Sequence, residues 1–455
     1  MEITPQFMVL VLALVGGALF LFLREVTKTP AMIFAGLTFY SALSKQVSVL
    51  YLEGHRSYIS ESGTISFDNG AFWRLLIFHA VMFGAAAVVA RYLAKRSAAT
   101  RIPGSIAMPP RRKLKIAISV VAGVLGLQAL NLALSSGVPL PGADVTRWTY
   151  WESHAGLPFL ALVFGKLMVF IPFVMGIAYF ATTRAGLDIE RRATIVCILG
   201  YTAYLVLTGQ RFHGFLSPYV LFGGIYLIHR VMSGRSIVYT KFTVYTVIAL
   251  GILLSYGVIV MQFRGISVFA GGAVSGLLYR VFVLQGHAYW NVDVLVSQYG
   301  ALGHAGDMLN GMETLIQAIG KTKVVYGYLT NNINFSAGLP TITIYVFGYL
   351  MSVPLVALYG AVLGVMIHLL YWCVRSGSIM IAFPASYLWL WTHSVYAHAS
   401  LESLVSPKFA VFGLAVVVAL FIDSKRRQPA GFRPSASGPR GMMRGYPAAV
   451  QAGRA

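Results

Sequence analysis

QFMVLVLALVGGALFLFL, residues 6–23, runs for 18 residues without a charge and is closed by Arg24, Glu25 and Lys28. A helix crossing a bilayer needs about 20 predominantly apolar residues, so this run and its flanks suffice. Comparable runs follow near 31–52, 72–93, 115–134, 158–180, 194–208, 215–232, 242–262, 342–371, 380–395 and 409–423. The shorter ones must borrow flanking polar residues or lie where the bilayer is thin. The succession predicts an all-α polytopic integral membrane protein with about eleven transmembrane helices. Glu2 precedes the first run and cations follow it, the reverse of a cleaved signal peptide, so it is expected to stay as an anchor.

The charges fix an expected topology. With the amino terminus outside, the inner segments are 24–30, 91–114, 181–193, 230–241, 372–379 and the tail from 424. With their edges they hold about 24 of the 35 Lys and Arg, beside only Glu25, Asp188, Glu190 and Asp423. The outer segments hold about nine basic and ten acidic residues. Retention of Lys and Arg on the cytoplasmic side is the positive-inside rule. The net charge of +21 is therefore assigned to topology and anionic lipid. Nucleic-acid binding is excluded, because the basic residues are divided among short loops.

Residues 1–424 read as one membrane domain, and 425–455, rich in Arg, Gly, Pro and Ser, as a disordered basic cytoplasmic tail. Between them lies one long outward loop, 263–341, which is expected to be partly helical. Such a loop inside a compact protein is usually functional. It carries Arg264, Arg280, His287, Asp293, His304, Asp307, Glu313, Lys321 and Lys323. A helix over 277–296 would place Arg280, Leu284, His287 and Asn291 on one face, joining an anion holder to a proton acceptor. The same face also suits an amphipathic helix lying on the membrane. A second helical pattern, Leu309, Met312, Ile316 and Ile319, follows Asp307.

Lys45, His79, Lys166, Arg211 and His393 fall inside or at the edges of the apolar runs. Charges there are costly and point to function. Lys45 is seven residues from the outer end of its run, about 10 Å at the helical rise. Together the five predict a basic, water-accessible cavity opening outward and suited to an anion. Metal sites are poorly supported: HExxH and CxxC spacings are absent, and Cys197 and Cys373 lie in or beside apolar runs. Gly272-Ala273-Val274-Ser275-Gly276 has Ala273 where the GxSG of an intramembrane serine protease needs glycine, and His287 to Asp293 is one residue too long for HxxxxD.

Ser136-Gly137-Val138-Pro139-Leu140, followed by Arg147 and Tyr150, resembles the GxPL…R loop of the bacterial O-antigen polymerases of the Wzy type and related polysaccharide polymerases and ligases. Thr208-Gly209-Gln210-Arg211 resembles that family's TGxR turn. Gly338-Leu339-Pro340 through Gly348, Gly360 and Gly364 resembles its Gly-punctuated end. The likeness covers most of residues 6–423. Arg211 to Gly223 and Arg264 to Gly276 are each one residue longer than the Arg-x10-Gly of some members.

The resemblance implies a metal-independent glycosyltransferase, with no cofactor, in the bacterial inner membrane. It would polymerise undecaprenyl-pyrophosphate-linked oligosaccharide repeat units into O-antigen or a related surface polysaccharide on the periplasmic face. A chain-length regulator and membrane lipids are its implied partners. Loss of a lipid pyrophosphate calls for cations, and Arg147, Arg211, Arg264, Arg280, Lys45 and Lys166 are the expected substrate-binding residues. The acceptor hydroxyl calls for a general base: His287 first, with Asp293, Glu313 and His213 as alternatives. The same residues fit a transporter or flippase of an anionic lipid-linked substrate, or a membrane-bound acyltransferase built around His368 or His393.

Overall fold

The computed structural model describes residues 4–55, 70–98, 107–139, 145, 150–159, 168–208, 212–232, 280–321, 325, 337–399 and 401–426. Among them the chain is all helical, apart from short connections. Every apolar run named above is wholly or partly occupied by helix, save 242–262, which lies outside the described residues. The helices are α1 (Pro5–Lys28), α2 (Gly36–His55), α3 (Ala71–Ala98), α4 (Arg111–Ala133), α5 (Ile171–Arg184), α6 (Asp188–Leu207) and α7 (Phe212–Met232). They continue with α8 (His287–Tyr299), α9 (Gly311–Ile319), α10 (Thr341–Ser376), α11 (Ile379–His398) and α12 (Pro407–Arg426).

Among the described residues, α1, α3 as far as Arg96, α4 and α10 are long and apolar enough to cross a membrane. Their outward faces carry large apolar side chains such as Val9, Leu12, Val88 and Val120. Apolar side chains displayed along whole helix faces suit lipid rather than water, and this is a helical membrane protein. Intrahelical bonding satisfies the backbone where no water can.

Local chemistry sets the ends. Thr4 caps α1, its hydroxyl accepting from the Phe7 amide at 3.3 Å, with Pro5 in the first turn. Gly348, at φ +69°, breaks α10 into a short first part and a long second part. Gly360 and Gly364 seat α10 against α3: added Cβ atoms would lie 2.2 Å from the Met82 carbonyl oxygen and 2.7 Å from that of Ala86. Small residues four apart are how helices approach closely in lipid.

Those two contacts advance together along both helices, so α3 and α10 are parallel. Glu25 pairs with Arg91, placing the end of α1 beside the end of α3. The Ala107 amide donates to the Arg375 carbonyl at 2.9 Å, bringing the approach to α4 against the end of α10. Arg111 pairs with Glu190 at 2.8 Å, joining the starts of α4 and α6. The Glu190 carboxyl is lowered below its ordinary range by a backbone hydrogen bond and then by Arg111. Arg91, Lys95, Arg111–Lys113, Arg191, Arg192 and Arg375 thus gather at one end of the bundle. The tail from 427 lies outside the described residues; 425 and 426, expected in it, end α12.

Candidate functional site

Away from that basic end, segments distant in sequence converge on the last turn of α11. The final carbonyls of a helix have no intrahelical partners and carry its negative pole. Lys45, from α2, places its Nζ 3.2 Å from the Tyr396 carbonyl oxygen and 3.4 Å from that of Leu339. The same ammonium lies 4.3 Å from the centre of the Tyr396 ring, a cation–π contact. Lys45 is only 2% exposed, and no carboxylate among the described residues pairs with it.

Tyr396 links this cation to imidazoles. Its hydroxyl lies 2.9 Å from His79 Nε2 on α3. One turn earlier on α11, His393 Nδ1 lies 3.1 Å from the Thr38 hydroxyl on α2. The Tyr359 hydroxyl donates to the Thr392 carbonyl at 2.9 Å, and its ring stacks 6.3 Å from that of Tyr396. Gly338 completes the seat: its amide donates to the Ala397 carbonyl, and a Cβ there would fall 1.5 Å from the Tyr396 carbonyl oxygen.

The expected helix over 277–296 is interrupted in the structure. Arg280–Leu284 forms a π-turn, and α8 begins only at His287. The break seats Gly286 on α2, where a Cβ would meet the Lys45 carbonyl oxygen at 2.8 Å and Ser48 Cβ at 2.9 Å. The Ser48 hydroxyl accepts from the Gly286 amide at 2.9 Å and donates to the Val283 carbonyl at 2.7 Å. A continuous helix would forfeit this interlock. Arg280 and His287 therefore do not share one helix; His287 instead starts its own helix beside the Lys45 backbone. His287 is buried, with Nδ1 2.9 Å from the Leu284 carbonyl oxygen.

Asp293 sits six residues further on, fully buried, and is gripped by Arg74 of α3 through Nε at 3.0 Å and Nη2 at 2.6 Å. The Tyr289 hydroxyl donates to it at 3.3 Å, and the Tyr349 hydroxyl donates to its backbone carbonyl at 2.9 Å. Burial first, and then the Asp293 charge, push the Tyr289 phenol well above its usual range, keeping it a donor. This geometry makes Asp293 a tie between α8, α3 and α10, with its oxygens occupied rather than open to a substrate hydroxyl. Glu313 stands exposed on α9, accepting from Gln317 at 3.2 Å, apart from the buried cluster. The second predicted helix is split: 305–308 is a 3-10 turn whose Asp307 accepts from the His304 amide at 2.7 Å, and α9 follows.

Of the five polar residues expected to line an open cavity, Lys45, His79 and His393 do converge, yet they are enclosed, with exposures of 2%, 7% and 1%. The helices pack around them because carbonyl, ring and hydroxyl partners are supplied from inside. Arg147, Lys166, Arg211 and Arg264 lie outside the described residues, as do Gly209 and Gln210 of the TGxR-like turn. Arg280 and His213 are described in backbone only. Tyr396, Arg74 and Thr38 were not singled out in the sequence.

Residues 305–413 match the model of a family of unknown function, DUF6418. That stretch brings Gly338, Tyr359, His393 and Tyr396 to the cluster, while Lys45, His79 and His287 come from outside it. Neither the curated proteins nor the solved structures contain a match.

Proposed function

We propose that this protein is a membrane glycosyltransferase of the O-antigen polymerase type, transferring a glycan from undecaprenyl pyrophosphate to the terminal sugar of another lipid-linked repeat unit. The reading rests on the ordered motifs that resemble that family. One geometric observation supports it best: Gly286 is seated on the Lys45 backbone, so a buried cation and the first imidazole of α8 belong to one interlocked unit. In this reading the Lys45 ammonium stabilises charge on the departing pyrophosphate, and His287 accepts the proton of the attacking hydroxyl. Arg147, Arg211, Arg264, Arg280 and Lys166 hold the anion as the resemblance implies. The basic end of the bundle faces the cytoplasm under the positive-inside rule. That orientation gives about eleven spans, a periplasmic amino terminus and a cytoplasmic carboxyl terminus in a bacterial inner membrane.

The test uses purified protein and lipid-linked repeat units. His287→Ala is expected to slow chain growth about 10²–10⁴-fold, the usual contribution of a general base, with donor binding little changed. Growth at the wild-type rate would remove His287 from the mechanism. Absence of any growth by the wild-type protein, with transport of the same lipid into vesicles, would replace the transferase reading with the transporter one.

A further inference from the structure

A groove of about 480 Å³ runs between α1, α2 and α3, with Gln46 and His79 on its wall where it backs onto the buried cluster. Leu14, Ala18, Leu43, Ala80, Gly84 and Ala87 give it an almost wholly apolar wall. Small residues at 80 and 84, one turn apart on α3, create the depression, and a Cβ at Gly84 would meet nothing within 4 Å. On α3 the lining extends from Leu76 to Arg91, roughly 22 Å at the helical rise. One leaflet of hydrocarbon is about 15 Å deep, half of a 30 Å core. The groove is therefore long enough for a whole lipid chain, and both helices flanking its mouth are candidate membrane spans.

Its charged end decides the occupant. Arg91 and Glu25 line the groove there and are paired, with Arg91 Nε also donating to the Thr29 hydroxyl at 3.2 Å. Around that pair the last turns of α1 and α3 expose Arg24, Lys28, Lys95 and Arg96. None of these four pairs with a carboxylate among the described residues. Among the described residues the one acid at this mouth, Glu25, is already engaged, leaving a surplus of four positive charges beside an apolar slot. Near a membrane surface such cations attract anionic lipid.

We propose that the groove holds an acyl chain of an anionic glycerophospholipid, with the lipid phosphate at the cationic ends of α1 and α3. The chain lies along Ala80, Gly84 and Ala87, and the glycerol backbone sits at Arg91. Lys95 and Arg96 meet the phosphate from α3, and Arg24 and Lys28 meet it from α1. The site shares His79 with the buried cluster but does not rest on the transfer reaction proposed above.

The full-length protein, in nanodiscs containing a trace of phosphatidylglycerol with a photoreactive group near one acyl terminus, provides the test. After irradiation, peptides of α3 around 79–84 are expected to carry a several-fold excess of label over those of α4, which reports ordinary lipid contact. Gly84→Trp fills the slot and should bring α3 down to the α4 level. Ala80→Leu is an independent variant of the same kind, should the first fail to fold. Lys95→Gln with Arg96→Gln should reduce labelling to that given by a phosphatidylcholine probe. Excess glycerol phosphate should compete poorly, since the chain supplies the affinity. Equal labelling of α3 and α4, labelling indifferent to the folded groove-filling variant, or full competition by glycerol phosphate would each overturn the proposal.

Discussion

Lys45 and Arg74 are cations on neighbouring helices, and the fold treats them differently. Arg74 turns a planar fork onto Asp293, two nitrogens on one carboxylate, and that carboxylate also accepts from Tyr289. Its charge is answered by an opposite charge, and the pair fastens α3 to α8. Lys45 is more deeply buried, yet it meets only two carbonyl oxygens and a ring face. An ammonium has three donors, and beyond the ring face the third has no hydrogen-bond acceptor among the described residues. A guanidinium locked in a fork has spent its capacity on architecture. The incompletely answered ammonium keeps capacity for an anion. Under the proposed reading, it is the completeness of its partners, and not burial alone, that separates a functional charge from a structural one.

The sharpest way to break this contrast is Lys45→Met, which keeps the stem's bulk and removes the charge. Polymer formation should fall about 10²–10³-fold, the effect of deleting one donor to a developing anion. The thermal midpoint in detergent should stay close to that of the wild type. A variant that is unstable but active per folded molecule would make Lys45 a helix cap and nothing more.

Next comes Arg74→Ala, which strands Asp293 at zero exposure. Removing one partner of a buried pair costs 3–5 kcal/mol; with Arg74 29% exposed, we expect about 3 kcal/mol, read from denaturant unfolding in detergent. Asp293→Asn should cost less, because the partly exposed guanidinium can turn to solvent. Equal losses from both substitutions would show that the pair contributes through packing. The smallest effect belongs to Tyr289→Phe, about 1 kcal/mol for one hydrogen bond. A neutral result there would mean that the Arg74 fork alone holds the carboxylate.

Much of the architecture was legible in the residues. Unbroken apolar runs predicted helices because lipid leaves the backbone no other partner, and the described helices other than α8 and α9 lie on those runs. Gly360 and Gly364 stood out as punctuation and prove to be contact points between α10 and α3. Lys45, His79 and His393 were conspicuous because charged and imidazole groups are rare in such runs. Tyr396 was not, since an aromatic in an apolar stretch reads as packing, and only the fold brings it to His79 across 317 residues. The Arg74–Asp293 tie spans 219 residues and was likewise invisible. The helix expected through 286 failed for a specific reason. Spacing of 280, 284, 287 and 291 fits a helix, but a tertiary interlock between Gly286 and Ser48 outweighs local periodicity.

The reach of the Lys45 contact bears on how the protein is made. Its carbonyl partner Tyr396 is 351 residues further along the chain. At the usual 5–20 residues per second, a ribosome needs roughly 20–70 s to cover that distance. For all that time α2 has left the tunnel while the helix end that receives its ammonium does not yet exist. The nascent protein must carry an unmatched cation in or beside the bilayer until α11 is delivered. A message truncated before Tyr396 would therefore yield a product with that charge permanently unanswered, the sort of defect by which membrane quality control can recognise an unfinished chain.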